Sequence, residues 1–324
     1  MDLVNHLEGR LLFAVPKKGR LQQATLDLLA GCDVQFRRET RLDIALVKNL
    51  PIALIFLPAA DIPTFVGEGR VDIGITGRDQ VAEHDAQLPP GQVSSVEEIM
   101  DLGFGGCKLQ VQVPVKGSFE SAKDLIGRNV VTSFTALAGQ FFAGLEGESD
   151  APKKTSIKYV GGSVEAACAL GVADGIVDLV GAFPSPSELM NFFKNGLTNA
   201  ESGETMKAAG LKAIDTVVTS TAVLVKSKNA TNPLVDLLTS RVRGVITAQK
   251  YVLCQYNIPR AELATASGIT PGKRAPTITA LEEEGWVAVS SMVEKKNIAT
   301  VMDELSKVGA SDILVLNIAN SRTG

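Results

Sequence analysis

The chain has 324 residues, 45% hydrophobic and 21% charged, a composition that suits two or three globular domains with sizeable cores. Its 32 basic against 36 acidic residues leave a formal net charge of −4, which argues against a protein whose main work is gripping nucleic acid or an anionic membrane. The longest apolar run, residues 52–60, is too short to span a bilayer and reads as a buried strand. Asp2 and Glu8 sit where a secretory leader would be basic, so a cytoplasmic protein is expected. Cys32, Cys107, Cys168 and Cys254 form no Cys-x-x-Cys, and His6 and His84 are far apart, so a zinc site, a disulfide framework and a histidine-based triad are not expected.

Strands and helices alternate through the first third. Residues 11–15 read as a strand, followed by Gly19 and a helix carrying Leu21, Leu26, Leu28 and Leu29. Residues 44–47 and 52–57 are strand-like, Asp61-Ile62-Pro63 opens a helix, and 71–76 is a buried strand ending in Gly77. Such alternation implies an α/β fold on a mostly parallel sheet, with ligands at the carboxyl ends of the strands.

From Leu102 the pattern restarts. Strands are expected at 109–115, 130–134, 157–160 and 175–180, with helices at 121–126, 136–145 and 164–170 between them. Two further strands in 216–226 return the chain to the first lobe. A long helix at 233–251 then leads to a segment read as strand 262–266, strand 286–292, helix 298–308 and strand 313–318, resembling a ferredoxin-like α+β module. The expected division is lobe I at 1–101 and 213–245, lobe II at 102–212, and a C-terminal domain at 246–324.

Four stretches carry candidate chemistry. In Glu201-Ser202-Gly203-Glu204-Thr205-Met206, glycine permits close backbone approach, the hydroxyls donate, and a helix starting at Glu204 would aim its amides at an anion; its other reading is an ordinary helix cap. Lys17-Lys18-Gly19-Arg20 is a glycine turn flanked by cations after a strand, suited to phosphates or equally to solvent. Asp72 and Asp79 flank the strand end around Thr76, as caps or as cleft residues. Glu165 and Asp178 bracket a helix-to-strand unit, where a carboxylate holds ribose hydroxyls or magnesium, or simply forms a salt bridge.

Taken together, Glu165, Gly171, Ala173, Ile176, Asp178-Leu179 and Ser202-Gly203-x-Thr205-Met206 resemble the signature of ATP phosphoribosyltransferases. Lys17-x-Gly19-Arg20-Leu21, Asp61-Ile62-Pro63, Asp72-Ile73-Gly74-Ile75-Thr76-Gly77, Phe104-Gly105-Gly106-Cys107, Val242-x-Gly244-Val245 and Gly309-Ala310-Ser311-x-Ile313-Leu314-Val315-Leu316 look like family segments in the right order. The resemblance covers nearly all of 10–320, and the C-terminal third is similar to the long form of the enzyme. It implies a two-lobed core like type II periplasmic binding proteins plus an ACT-like, histidine-binding regulatory domain. It implies joining of N1 of ATP to C1 of phosphoribosyl pyrophosphate with magnesium, release of pyrophosphate, histidine inhibition, and a homo-oligomer from dimer to hexamer. By the same resemblance, Ser202, Gly203, Glu204 and Thr205 take the ribose 5-phosphate. Asp178 takes the ribose hydroxyls with Glu165 nearby, and magnesium comes with the substrate, Asp178 being the protein residue it would reach. Lys17 and Arg20 take pyrophosphate or ATP phosphates, Asp72 and Thr76 line the cleft, and Thr277, Gly309 and Ala310 contact histidine. The competing functions are a non-catalytic bilobal solute-binding protein and a catalytically impaired family member acting as a histidine sensor.

One segment departs from the family pattern. Residues 181–200 hold three of the 12 phenylalanines and two of the 14 prolines, and without them Asp178-Leu179-Val180 runs directly into Glu201-Ser202-Gly203. Either they bulge outward as a loop, which chain entropy tolerates, or they are a translated intron. The residues permit the second reading: Gly181-Ala182-Phe183 allows a GT-type splice donor, and Leu197-Thr198-Asn199-Ala200 allows a branch-point-like string followed by AG.

Overall fold

A computed structural model describes residues 7–38, 42–147, 154–181 and 204–322, with the side chains of Glu204 and Thr205 outside the description. The chain divides into two compact units, Met1–Asp27 with Val34–Val235, and Leu28–Asp33 with Asp236–Gly324. The cut falls in a long helix at Val235, earlier than the expected boundary after 245, and the end of the first helix groups with the C-terminal unit.

The first unit holds two sheets. Strands β1 (Leu11–Pro16), β2 (Ile44–Leu46), β3 (Ile52–Leu57), β4 (Ile73–Gly77), β5 (Val96–Asp101) and β11 (Ala222–Ser227) form the first, in the order β2-β3-β1-β4-β11-β5. β1 lies parallel to β3 and β4, while β11 runs antiparallel between β4 and β5. Central strands covered on both faces need continuous apolar runs, and β1 and β3 supply them: Leu11, Phe13, Ala14, Val15, Ile52, Ala53, Leu54 and Phe56 are all fully buried. Helices α1 (Gln22–Gly31), α2 (Ile62–Gly67) and α3 (Arg78–Ala86) connect these strands. Pro63 at the start of α2 fits its missing donor, although Asp61 precedes the helix without a side-chain capping bond.

The second sheet has the order β10-β6-β9-β7-β8, built from β6 (Cys107–Pro114), β7 (Asn129–Thr132), β8 (Ser156–Tyr159), β9 (Gly175–Gly181) and β10 (Leu211–Ser220). β7 is parallel to β8 and β9, and β6 is antiparallel to β9 and β10. Leu109, Val111, Val113, Val130, Phe134, Phe142 and Val177 form its core. Helices α4 (Thr135–Gly147), α5 (Ala166–Ala169) and α6 (Glu204–Ala208) belong to this lobe. The expected return to lobe I at 213 falls inside β10, whose ladder with β6 keeps it in the second sheet. The chain therefore crosses between lobes at 102–106 and again at Thr221. The two crossovers bond to each other: Leu102 N–H donates to Ala222 O at 2.9 Å, and Ala222 N–H to Phe104 O at 3.0 Å.

The second unit takes most of α7 (Leu234–Lys250), then β12 (Tyr251–Pro259), α8 (Leu263–Ile269), β13 (Thr277–Ala280), β14 (Trp286–Glu294), α9 (Ile298–Lys307) and β15 (Ser311–Asn317). Sheet order β13-β14-β12-β15 with βαββαβ succession is the ferredoxin-like arrangement. Val252, Cys254, Tyr256, Ile258, Val287, Val289 and Leu305 form its core. Two local readings are corrected: 262–266 is a 3₁₀ turn leading into α8 rather than a strand, and the strand after α7 is β12.

Candidate active site

Lobe I offers the ends of β1 and β4. After β1, the Lys17 amide donates to Leu57 O at 2.8 Å, and Gly19 adopts φ +83°, a turn conformation that suits glycine. Lys17 Nζ lies 3.5 Å from Asp43 with both side chains substantially exposed, a loose pair that leaves the ammonium available. Arg20 points inward. Its guanidinium donates to the carbonyl of Gly105 on the first crossover and lies 3.1 Å from the fully buried carboxylate of Asp79.

Asp79 opens α3, and its carboxylate also accepts the hydroxyl of Ser220 at 2.5 Å and the Gln80 amide at 3.0 Å. Ser220 Oγ in turn accepts the Asp79 N–H at 2.8 Å. Arg20, Asp79 and Ser220 thus tie both crossovers to the end of β4. On the outer side Arg78 binds Glu98 through two bonds of 3.0 and 2.6 Å, reaches Asp101 at 3.1 Å, and donates to the Thr221 hydroxyl at 3.2 Å.

Thr76 is buried near the carboxyl end of β4, and its hydroxyl donates to Ala59 O at 2.7 Å. Asp72 lies at the opposite end. It precedes β4, its carboxylate accepts Leu12 N–H at 2.7 Å, and its own N–H donates to Leu12 O at 3.0 Å. Because β1 and β4 are parallel, this places Asp72 away from Thr76, where it ties the amino ends of these two central strands together rather than lining the ligand side. A hollow beside it opens between Gly9, Arg10, Pro51, Thr231, Asn232, Pro233 and Leu234, away from the carboxyl ends of the strands.

In lobe II, Asp178 sits on β9 and Glu165 immediately precedes α5 without a capping bond. Asp178 accepts its neighbour's amide, Leu179 N–H, at 2.8 Å. Burial pushes its pKa up to about 6; the Leu179 bond opposes that rise, and repulsion from Glu165 adds to it. The two acids are therefore electrostatic neighbours. Ser202 and Gly203 lie outside the described residues. Glu204 and Thr205 are backbone members of α6, so the helix start expected at Glu204 is present.

In the second unit, Thr277 begins the edge strand β13, while Gly309 and Ala310 lead into β15 at the other edge. Three inter-strand steps, about 14 Å, separate these strands, so one chain does not bring the two expected effector contacts together. Gly309 ends α9 at φ +89°: its N–H donates to Ser306 O at 3.2 Å and that of Ala310 to Leu305 O at 3.0 Å, the paired bonds of a Schellman cap.

Comparison with known proteins decides the family. The family model described as ATP phosphoribosyltransferase matches residues 58–182 and 197–244, and that of the HisG C-terminal domain matches 248–320. ATP phosphoribosyltransferases of Yarrowia lipolytica and Schizosaccharomyces pombe are 58% and 56% identical over 323 and 331 aligned residues, covering 99% of this chain and 100% of each relative. The chain belongs to the ATP phosphoribosyltransferase family. A solved ATP phosphoribosyl transferase (HisG:HisZ) complex from Thermotoga maritima has the same fold, with a TM-score of 0.54 at 22% identity over 73% of this chain and 98% of that one. The ATP phosphoribosyltransferase match leaves 183–196 unaligned, inside the anomalous segment 181–200.

Sequence reasoning did not foresee Ser220 or Glu83, and left Asp79 between cap and cleft. Buried carboxylates need partners, and an acid in the first turn of a helix that directly follows a strand end was the available signal.

Proposed function

We propose that catalysis in this phosphoribosyltransferase is centred on Asp178, which receives the ribose hydroxyls of phosphoribosyl pyrophosphate. The observation that carries this is a largely buried carboxylate beside a second acid, Glu165, with no cation paired to it among the described residues. An acid raised in this way gains from hydroxyl donors or a cation brought by substrate. The backbone amides and hydroxyls of 201–205, entering α6, receive the 5-phosphate.

N1 of adenine attacks C1 of the ribose; the C1–O bond breaks and its electron pair leaves with pyrophosphate. N1 is a neutral nucleophile, so the protein's work is to orient two polyanions and stabilise the departing charge. Lys17, loosely paired at a strand end, and Arg20, at the crossovers, are the cations for that charge. Thr76 fixes the carboxyl end of β4 from within and Asp72 braces the opposite, amino ends of β1 and β4.

Among the described residues no group of three or more acidic, histidine or cysteine side chains could hold a metal alone. Magnesium fits this set as an ion carried by substrate phosphates, with Asp178 as its protein ligand; when bound it neutralises pyrophosphate charge. The second unit, matched by the C-terminal family model, binds histidine as inhibitor, with Thr277 of one subunit and the Gly309–Ala310 turn of another as contacts, because a single chain holds them at opposite edges of its sheet. The working form is a homo-oligomer, dimer to hexamer, in the cytoplasm; among the described residues no helix is long and apolar enough to cross a membrane.

Calorimetric titration of phosphoribosyl pyrophosphate with magnesium tests the central assignment. Asp178→Asn should weaken binding by at least about 10-fold, the loss of one charge-assisted bond to substrate. Unchanged affinity in folded Asp178→Asn would remove Asp178 from the site.

A further inference from the structure

Helix α3 buries two residues, and both are acids: Asp79 and Glu83. Hydrophobic packing does not explain such a face, because carboxylates are buried only when something holds them. Four residues apart, they lie on one side of the helix. Asp79 takes Arg20 and Ser220. Glu83, 6% exposed, reaches out of lobe I altogether.

Its Oε1 accepts the N–H of Ala136 at 2.8 Å and its Oε2 that of Leu137 at 2.9 Å. These are first-turn amides of α4 in lobe II, normally satisfied by a cap within the same chain segment. Here the cap comes from the other lobe, and it is an anion at the positive end of a 13-residue helix. Gln87 holds the carboxylate from its own side, donating to Oε1 at 2.9 Å.

The far side of the contact leads to the substrate strand. Just before α4, Phe134 N–H donates to Thr132 Oγ1 at 2.9 Å, and that hydroxyl donates to Val177 O at 2.6 Å. Val177 adjoins Asp178 on β9. We infer that Glu83 is a positioning residue: an interlobe strut that fixes the α4–β9 end of lobe II against lobe I and so sets the separation of Asp178 from Lys17 and Arg20. The strut stands on the contact itself; its consequence for substrate rests on the function proposed above.

The test is an interlobe distance distribution in the full-length chain. Spin labels are placed at exposed positions through Glu68→Cys in lobe I and Lys116→Cys in lobe II, with Cys168→Ala as background. Glu83→Ala should broaden or shift the distribution by several ångströms, and isosteric Glu83→Gln, which keeps one acceptor, should fall between it and the parent. Affinity for phosphoribosyl pyrophosphate with magnesium should weaken about 5- to 30-fold in Glu83→Ala, the population shift set by losing a charged cap, while kcat at saturation moves less than about threefold. A distribution identical to the parent in Glu83→Gln and in folded Glu83→Ala would reduce Glu83 to a local cap and overturn the strut. A shifted distribution with no phosphoribosyl pyrophosphate binding even in the parent would keep the strut and overturn the ligand assignment.

Discussion

Arg20 and Asp79 form a 3.1 Å ion pair in which the carboxylate is fully buried and the guanidinium, 28% exposed, also grips the Gly105 carbonyl. The pair joins the turn after β1 to the crossover between lobes, so Arg20 holds the hinge as well as facing the proposed phosphates. Removing one partner of a buried pair leaves an uncompensated charge, a cost moderated here by Ser220 and Gln80. Arg20→Met should therefore cost about 2–3 kcal/mol in denaturant unfolding. Adding Asp79→Asn should recover part of that loss, because the orphaned charge is gone. A double mutant less stable than Arg20→Met by the full single-mutant cost of Asp79→Asn would show that the two are not coupled.

Asp178 makes stability depend on pH in the less common direction for an acid. Its folded pKa, about 6, lies above the ordinary aspartate value of 3.8, so the folded state holds a proton that the unfolded state has released between those values. Stability should fall as pH rises from about 4 to 6 and then level off, with a penalty of roughly 2–3 kcal/mol above that window. Asp178→Asn removes the penalty. It should melt higher than the parent at pH 8 and equally at pH 4, while binding substrate worse, the usual conflict between stability and a working site. Equal melting of the two chains at pH 8 would contradict the buried, unneutralised state of Asp178.

Gly309 offers a clean conformational test. Its φ of +89° is strained for any L side chain, yet a Cβ there would meet nothing within 4 Å. Gly309→Ala should accordingly cost about 1 kcal/mol in unfolding of the second unit, through backbone conformation alone. No change would mean that α9 ends without needing the left-handed turn.

The two lobes, the long helix α7 and the family itself were legible because buried parallel strands and a multi-segment signature are strong signals. β12 was missed although Tyr251-Val252-Leu253-Cys254-Gln255-Tyr256-Asn257-Ile258 alternates in burial along its whole length. The helical pattern before it ran on to Tyr251 and masked the change of period. β10 was assigned to the wrong lobe because strand patterning does not say which sheet a strand joins; its ladder with β6 decides that. Lys17, Arg20, Glu165 and Asp178 were readable as chemistry-bearing residues on local motifs. The Arg20–Asp79–Ser220 cluster was not, since Asp79 and Ser220 are 141 positions apart and meet only when the chain crosses back.

The segment 181–200 interrupts the family pattern between β9 and α6, and 183–196 lies outside the family match. β9 runs through Gly181, paired with Cys107, and α6 starts at Glu204. Removing 181–200 joins Val180 to Glu201, so the strand would deliver Ser202 and Gly203 directly to the start of α6. A phosphate cradle depends on rigid delivery, and a displacement of about 1 Å costs roughly 10²-fold in rate. Magnesium-dependent formation of phosphoribosyl-ATP should therefore rise by about 10²-fold or more in the chain lacking 181–200, and spliced transcript should lack the corresponding codons. Equal turnover by both chains would make the segment an outward loop that leaves the cradle intact. Absence of turnover from both, in folded protein, would favour the histidine-sensing reading of the family member over the enzymatic one.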